Sequence, residues 1–200
     1  MENKILLFNK WDTENITIDD PGLKNYITLR PIFAPKTGGR NIKIKFHKSK
    51  SNIVERLITK CMVVGHKGKK HKVTSGRNTG KATKNYKMVF NTFKIIEEKL
   101  KQNPVMVFVK AVENSAPREE ITSIEYGGAR YPQPVDCSPQ RRVDIALRMI
   151  TQGAYHKSFR NKKKAEEFLA EEIILAYNND NKSIAVAKKM ELERQAEASR

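Results

Sequence analysis

Acid is almost missing from residues 36–87, where Glu55 stands alone against sixteen lysines and arginines. That stretch holds +15 of the formal +17, leaving +2 for the other 148 residues. Charge so concentrated repels itself, and folding does not need it. A polyanion is expected against it, and nucleic acid fits. Long apolar runs are missing too. No stretch reaches the roughly 18 residues of a membrane span, and the apolar start Ile5-Leu6-Leu7-Phe8 is too short for a signal peptide. A cytoplasmic chain with no membrane partner is expected. Cysteine is scarce: Cys61 and Cys137 could pair on count alone, but a disulfide is not expected in a cytoplasmic chain, and both read as structural thiols. The apolar fraction of 38% permits a core but leaves a sizeable part of the chain outside it.

Catalytic signals are equally thin. His47, His66, His71 and His156 fall at no zinc spacing relative to each other or to cysteine. The segment Gly76-Arg77-Asn78-Thr79-Gly80-Lys81-Ala82-Thr83 imitates a phosphate loop. Its glycines are one residue too close, however, and Lys81 precedes Ala82 rather than a hydroxyl residue. The adjacent carboxylates Glu97-Glu98, Glu119-Glu120, Glu166-Glu167 and Glu171-Glu172 point about 100° apart on a helix and form no acid–base pair. The expectation is a protein without catalytic residues, metal, cofactor or small-molecule substrate.

What is present is helical period. Residues 1–50 are irregular, with residues 40–50 reading as a short strand or an arm that orders on a partner. Asn52 with Glu55 predicts a capping box, followed by a helix burying Val54, Leu57, Ile58, Cys61 and Val64 and ending at Gly65. Residues 66–84 read as a long loop. A second helix is predicted over 85–101, with Tyr86, Val89, Phe90, Phe93, Ile96 and Leu100 inward. Asn103-Pro104 starts a third, burying Val105, Phe108, Val109 and Val112. Residues 119–136 predict a hairpin turning at Gly127-Gly128, with Pro132 and Pro134 keeping its return strand at an edge. Ser138-Pro139 opens a fourth helix with Val143, Ala146, Leu147, Ile150 and Ala154 inward. A fifth spans 162–177, burying Ala165, Phe168, Leu169, Ile173, Ala176 and Tyr177. Ser183 caps a sixth over 184–198, mostly exposed, with a weak stripe of Ala187, Met190 and Arg194. The fold class is mainly α: a bundle of about six helices with a protruding β-hairpin and an extended basic N-terminal arm. Residues 1–50 form the extension and 51–200 the helical RNA-binding domain.

The nucleic-acid contacts are expected from Arg40, Lys43, Lys45, Lys48 and Lys50 in the arm, and from Lys67, Lys69, Lys70, Lys72, Arg77, Lys81 and Lys84 in the loop. Arg141, Arg142 and Arg148 on the fourth helix, with Lys157 and Arg160 beyond it, form a second patch, which His156 and Lys162-Lys163-Lys164 extend. At the hairpin tip, Tyr126, Gly127, Gly128, Arg130 and Tyr131 face a nucleic acid in one reading, with aromatics stacking on bases. In the other reading they pack across the ribbon.

Several motifs resemble the universal small-subunit ribosomal protein seven family. They are Asn52-Ile53-Val54-Glu55-Arg56-Leu57-Ile58, Asn103-Pro104-Val105, Glu113-Asn114-Ser115-Ala116-Pro117-Arg118-Glu119-Glu120, Tyr126-Gly127-Gly128 and Val135-Asp136-Cys137-Ser138-Pro139-Gln140-Arg141-Arg142-Val143. Phe159-Arg160-Asn161, Leu169-Ala170-Glu171-Glu172-Ile173 and Lys188-Lys189-Met190-Glu191-Leu192-Glu193-Arg194 agree. Trp11-Asp12-Thr13-Glu14, Asp20-Pro21-Gly22-Leu23-Lys24 and the final Arg200 resemble its archaeal branch. The loop departs from the family in being more basic and richer in glycine.

The resemblance implies a structural protein of the small ribosomal subunit in the cytoplasm. It implies binding to the 3′ major (head) domain of small-subunit rRNA, nucleation of head assembly, and a hairpin near mRNA and exit-site tRNA. Neighbouring ribosomal proteins of the head and platform are the implied protein partners. A free nucleic-acid-binding regulator is the alternative, but no base-reading recognition helix or dimer seam is visible. A nucleic-acid enzyme lacks the acids it needs.

Overall fold

The computed structural model describes residues 4–39, 43–64 and 78–200. Among them are six α-helices and one hairpin: α1 Ile53–Cys61, α2 Ala82–Leu100, α3 Pro104–Ser115, β1 Glu119–Tyr126, β2 Ala129–Asp136, α4 Pro139–Ser158, α5 Ala165–Tyr177 and α6 Ile184–Ala198. The mainly helical bundle with a β-hairpin is as expected from the sequence.

Local chemistry sets most helix starts. The Asn52 side chain accepts from Val54 N–H at 2.9 Å, and Asn103 does the same for Val105 at 3.0 Å. Each satisfies one of the orphan donors of a first turn. The expected capping box at α1 is only half present. Glu55 Oε1 instead accepts from Thr37 N–H at 2.7 Å and from its hydroxyl at 2.6 Å, so the lone acid of the basic stretch pins an upstream turn. Ser138 makes no side-chain cap, and Pro139 alone opens α4. Helix α2 starts at Ala82, three residues earlier than expected. Asn85 is buried, and its Nδ2 donates to the carbonyls of Asn78 and Lys81, which winds the first turn back toward the loop. Helix α1 ends at Cys61, while the expected stop, Gly65, lies outside the described residues.

Residues 43–50 form neither a strand nor a simple arm. Phe46 takes a left-handed φ of 57° and leads into a short 3-10 helix, His47–Lys50. Thr28 Oγ1 donates to the Ser49 carbonyl at 2.7 Å, and Ser49 Oγ donates to Gln140 on α4, so this helix is docked on the body.

The core extends where periodicity gave no signal. Leu7, Phe8, Trp11, Leu23 and Ile27 are buried with Phe93, Phe108, Leu147 and Ile173 in one cluster. The rings of Phe8 and Trp11 lie 5.8 Å apart, and Trp11 meets Phe93 at 5.7 Å, in edge-on geometry. These side chains come from a turn closed by Leu7 N–H on the Trp11 carbonyl at 2.8 Å.

Helix α6 presents a face other than the expected one. Ala185, Val186 and Ala196 are buried, whereas Ala187, Met190 and Arg194 face outward. Its rotation is set by Glu172 of α5. That fully buried carboxylate accepts from Ser183 Oγ at 2.8 Å, Ile184 N–H at 2.7 Å and Ala185 N–H at 3.3 Å. Gly153 of α4 leaves the room, since a Cβ there would meet Glu172 and Ile184 at 3.1 Å.

Candidate nucleic-acid interface

One face gathers cations from three elements. The 3-10 helix brings Lys48, α1 brings Arg56 and Lys60, and α4 brings Arg148. Asp144, the single acid of α4, sits among them. Its carboxylate accepts from Lys48, lies 3.3 Å from Arg56 Nη2 and 3.8 Å from Lys60 Nζ. Arg56 is buried, and its Nη1 donates to the Tyr26 carbonyl at 2.9 Å. Burial opposes ionisation of Asp144, but the Lys48 hydrogen bond and the charges of Lys60, Lys48 and Arg56 outweigh it and hold the carboxyl below its ordinary range. Burial pulls Lys60 down from its usual range. Asp144 counters that pull, while Arg148, Lys48 and Arg56 add to it.

This cluster borders a groove of about 940 Å³. Lys36, Lys45, Lys48 and Lys60 line it together with Phe46 and Tyr86. Phe46 is 72% exposed, an unusual position for an aromatic ring. Lys43 and Lys50 are also exposed beside it. Basic rims with an accessible ring suit single-stranded or irregular nucleic acid, which offers both phosphates and bases.

A second cleft, of about 680 Å³, lies between the starts of α2 and α5 and the end of α4. Lys84, Arg160, Lys163 and Lys164 stand around it with Tyr155 and Phe159. Arg160 has a left-handed φ of 57° and stacks over Phe159 with 5.5 Å to the ring centre. Lys81 and Lys84 flank the first turn of α2, which holds no acid. The positive end of the helix dipole disfavours cations there and favours an anion opposite them.

The fourth-helix patch divides. Arg141 and Arg148 are exposed on one helix face, seven residues apart. Arg141 makes a two-pronged contact with Glu120, including Nη2 to Oε2 at 2.6 Å. Arg142 departs from the expected surface position: it is buried, donating from Nε to the Pro117 carbonyl at 3.1 Å and from Nη2 to Asp20 at 2.6 Å. Helix geometry explains this, because Arg142 shares the inward row of Ala146 and Ile150 at spacings of four. Lys157 is partly committed inward, donating to Glu172 at 2.6 Å and the Lys182 carbonyl at 3.4 Å.

The hairpin separates its tip residues. Ile124 pairs with Tyr131, Tyr126 with Ala129, and Glu125 with Arg130. Directly opposed residues share a face and neighbours alternate. Ile124, Tyr126 and Tyr131 therefore form one exposed apolar face, while Arg130 lies on the other, 3.6 Å from Glu125. Tyr126, Arg130 and Tyr131 are not one constellation. Gly127 and Gly128 take φ of 59° and 79°, as a two-residue hairpin turn requires. The base is braced on α6, with Arg118 N–H on Glu193 at 2.9 Å and Arg200 on Glu119 at 2.6 Å.

Arg40, Lys67, Lys69, Lys70, Lys72 and Arg77 lie outside the described residues. Sequence reasoning passed over Lys60 and Asp144. The signal was a solitary acid between Arg141 and Arg148 on one helix face. Both cysteines are buried and free, and burial pushes the Cys61 thiol up to about 12. Among the described residues no group of three or more His, Cys, Asp or Glu gathers as a metal site, and no helix is long and apolar enough to cross a membrane.

Comparison with known proteins gives a family. The profile described as Ribosomal protein S7p/S5e matches residues 34–200. The small ribosomal subunit protein uS7 of Nanoarchaeum equitans is 56% identical over 197 residues, covering 98% of this chain and all of the relative. The uS7 proteins of Methanosphaera stadtmanae and Methanothermobacter thermautotrophicus are 50% and 48% identical, each covering at least 96% of both chains.

Proposed function

The chain belongs to the ribosomal protein S7p/S5e family, and from that premise we propose that it clamps the 3′ major (head) domain of small-subunit rRNA and helps nucleate head assembly. It is a structural, non-enzymatic constituent of the small ribosomal subunit, of the archaeal type. The observation that carries the finer reading is the gathering of Lys48, Arg56, Lys60 and Arg148 from three elements beside a lysine-lined groove. Four cations brought together by folding are stabilised by a dense phosphate surface.

Recognition in this reading is by shape and backbone charge rather than by base code. Lys43, Lys45, Lys48, Lys50, Lys81, Lys84, Arg141, Arg148 and Arg160 remain the outward candidates, with the half-buried Lys60 beside them. Residues 1–50 serve as an extension whose first half anchors in the core and whose later part carries cations to the RNA. The hairpin, braced at its base and open at its tip, is placed near mRNA and exit-site tRNA, with head and platform proteins as neighbours.

A salt titration of filter binding to a transcript of the head domain tests this. Log affinity is expected to fall with log salt at a slope of roughly −5 or steeper, equivalent to about six phosphate contacts. A shallow slope, or equal affinity for poly(U), overturns it.

A further inference from the structure

We propose that Asp144 is a positioning residue for RNA binding: it holds Lys48 and Lys60 in place so that their remaining donors face the phosphate surface. The inference rests on the rRNA-binding reading above.

An acid in the middle of a phosphate-binding face is a puzzle on charge alone, because it repels the ligand. Its contacts resolve the puzzle. Asp144 is fixed from below by Arg56, a buried guanidinium that the Tyr26 carbonyl also holds at 2.9 Å. From above it accepts from Lys48, and Lys60 stands 3.8 Å away. An ammonium has three donors. A carboxylate that takes one leaves two directed outward, and the Lys48 side chain is still half exposed. The long lysine stem is thereby ordered before RNA arrives, so less rotamer freedom is lost on binding.

The same contact joins the 3-10 helix to α4. Without it, Lys48, Arg56 and Lys60 lose the acid they pair with among the described residues, and with Arg148 they repel one another. Among the described residues the 3-10 helix then keeps its Ser49 bonds to Thr28 and Gln140.

The test has opposite signs for the two accounts. Asp144→Asn keeps the shape and adds one positive charge. On charge alone it tightens binding to the head-domain transcript and steepens the salt slope by up to about one. Positioning expects the reverse: affinity about five- to tenfold weaker at 0.1 M salt and a slope shallower by about one to two.

Asp144→Glu keeps the charge and the Arg56 pair but moves the carboxylate by one methylene, and it serves if the Asn variant unfolds by circular dichroism. Positioning expects it to weaken binding severalfold, and unchanged affinity overturns the proposal. Lys48→Gln and Lys60→Gln should each weaken the native protein and add little in the Asp144→Asn background. Full additivity overturns the proposal. If the native protein shows no salt-dependent preference for the transcript over poly(U), the rRNA reading itself has failed. If it does and Asp144→Asn binds as well or better, only the role of Asp144 has failed.

Discussion

Arg142 on α4 and Asp20 in the N-terminal segment meet at 2.6 Å across 122 residues of chain. The same guanidinium also satisfies the Pro117 carbonyl at the end of α3. It therefore ties three separate segments at a buried point. Replacing Arg142 by Ala leaves the half-buried Asp20 carboxylate with only the Gly22 N–H at 2.9 Å and the Pro117 carbonyl without its donor. The expected loss is about 1–3 kcal/mol in urea denaturation, with the slope of RNA binding against salt unchanged. A variant as stable as the native protein but with a shallower slope would return Arg142 to the RNA surface.

Acid should expose the same contact. Burial tends to raise the Asp20 carboxyl, but the hydrogen bond from Arg142 and that from Gly22 N–H bring it below its ordinary value of 3.8. Asp144 is lowered in the same sense. A carboxyl depressed by folding contributes stability above its unfolded pKa and loses that contribution as pH falls through the folded value. Stability is expected to hold from neutral pH to about pH 4 and to fall below it. In Arg142→Ala the fall should be smaller, because the Asp20 share is already gone. Equal acid slopes in the two proteins, measured by urea midpoints at pH 2.5 to 5, would remove Asp20 from the account.

How much of this was legible follows from what periodicity can register. The helices carried continuous 3.6-residue patterns, so Val89, Phe93 and Ile96 of α2 and Val143, Leu147 and Ile150 of α4 were readable as inward. The core role of Leu7, Phe8 and Trp11 was not, because a turn with left-handed Phe8 and Asn9 delivers them and repeats no pattern. The rotation of α6 was hidden for another reason. Its apolar stripe is weak, and a distant carboxylate, Glu172, decides which residues turn in. On the RNA side, a run of basic residues gave the charge but not the directions. The pair Arg141-Arg142 reads alike in sequence, yet 100° of helix rotation puts one in solvent and one in the core.

Trp11 measures whether the N-terminal segment belongs to the cooperative unit. It is 4% exposed and touches Phe8, Phe90 and Phe93. Trp11→Ala is expected to cost about 3–5 kcal/mol by chemical denaturation, lowering the thermal midpoint by roughly 6–20 °C in a chain of this size. A cost under about 1 kcal/mol would mean that the segment detaches before the helices unfold.

Glu172 should govern the docking of α6. It serves as an N-cap supplied from another helix, with Lys157 balancing its charge at 2.6 Å. Glu172→Gln removes the charge that answers Lys157 and forces one oxygen to serve what two now serve. Backbone amides at 184–186 are expected to exchange at least tenfold faster, while those of α3 keep their protection. Uniform loss of protection across all helices would show that α6 is not a separable unit.

The hairpin register makes the last expectation specific. Ile124, Tyr126 and Tyr131 share an exposed face that no described residue covers, and Arg130 looks the other way beside Glu125. Tyr126→Ala and Tyr131→Ala should each leave the stability of the isolated protein within about 0.5 kcal/mol, as for other exposed positions. If the aromatic face lies on nucleic acid in the assembled subunit, these substitutions should abolish photo-crosslinks from the tip to RNA. Arg130→Ala, on the opposite face, should leave those crosslinks in place and alter only their salt dependence. Loss of the crosslinks in all three variants would mean that the tip acts as a single contact, and the division of faces set by the strand register would carry no functional meaning.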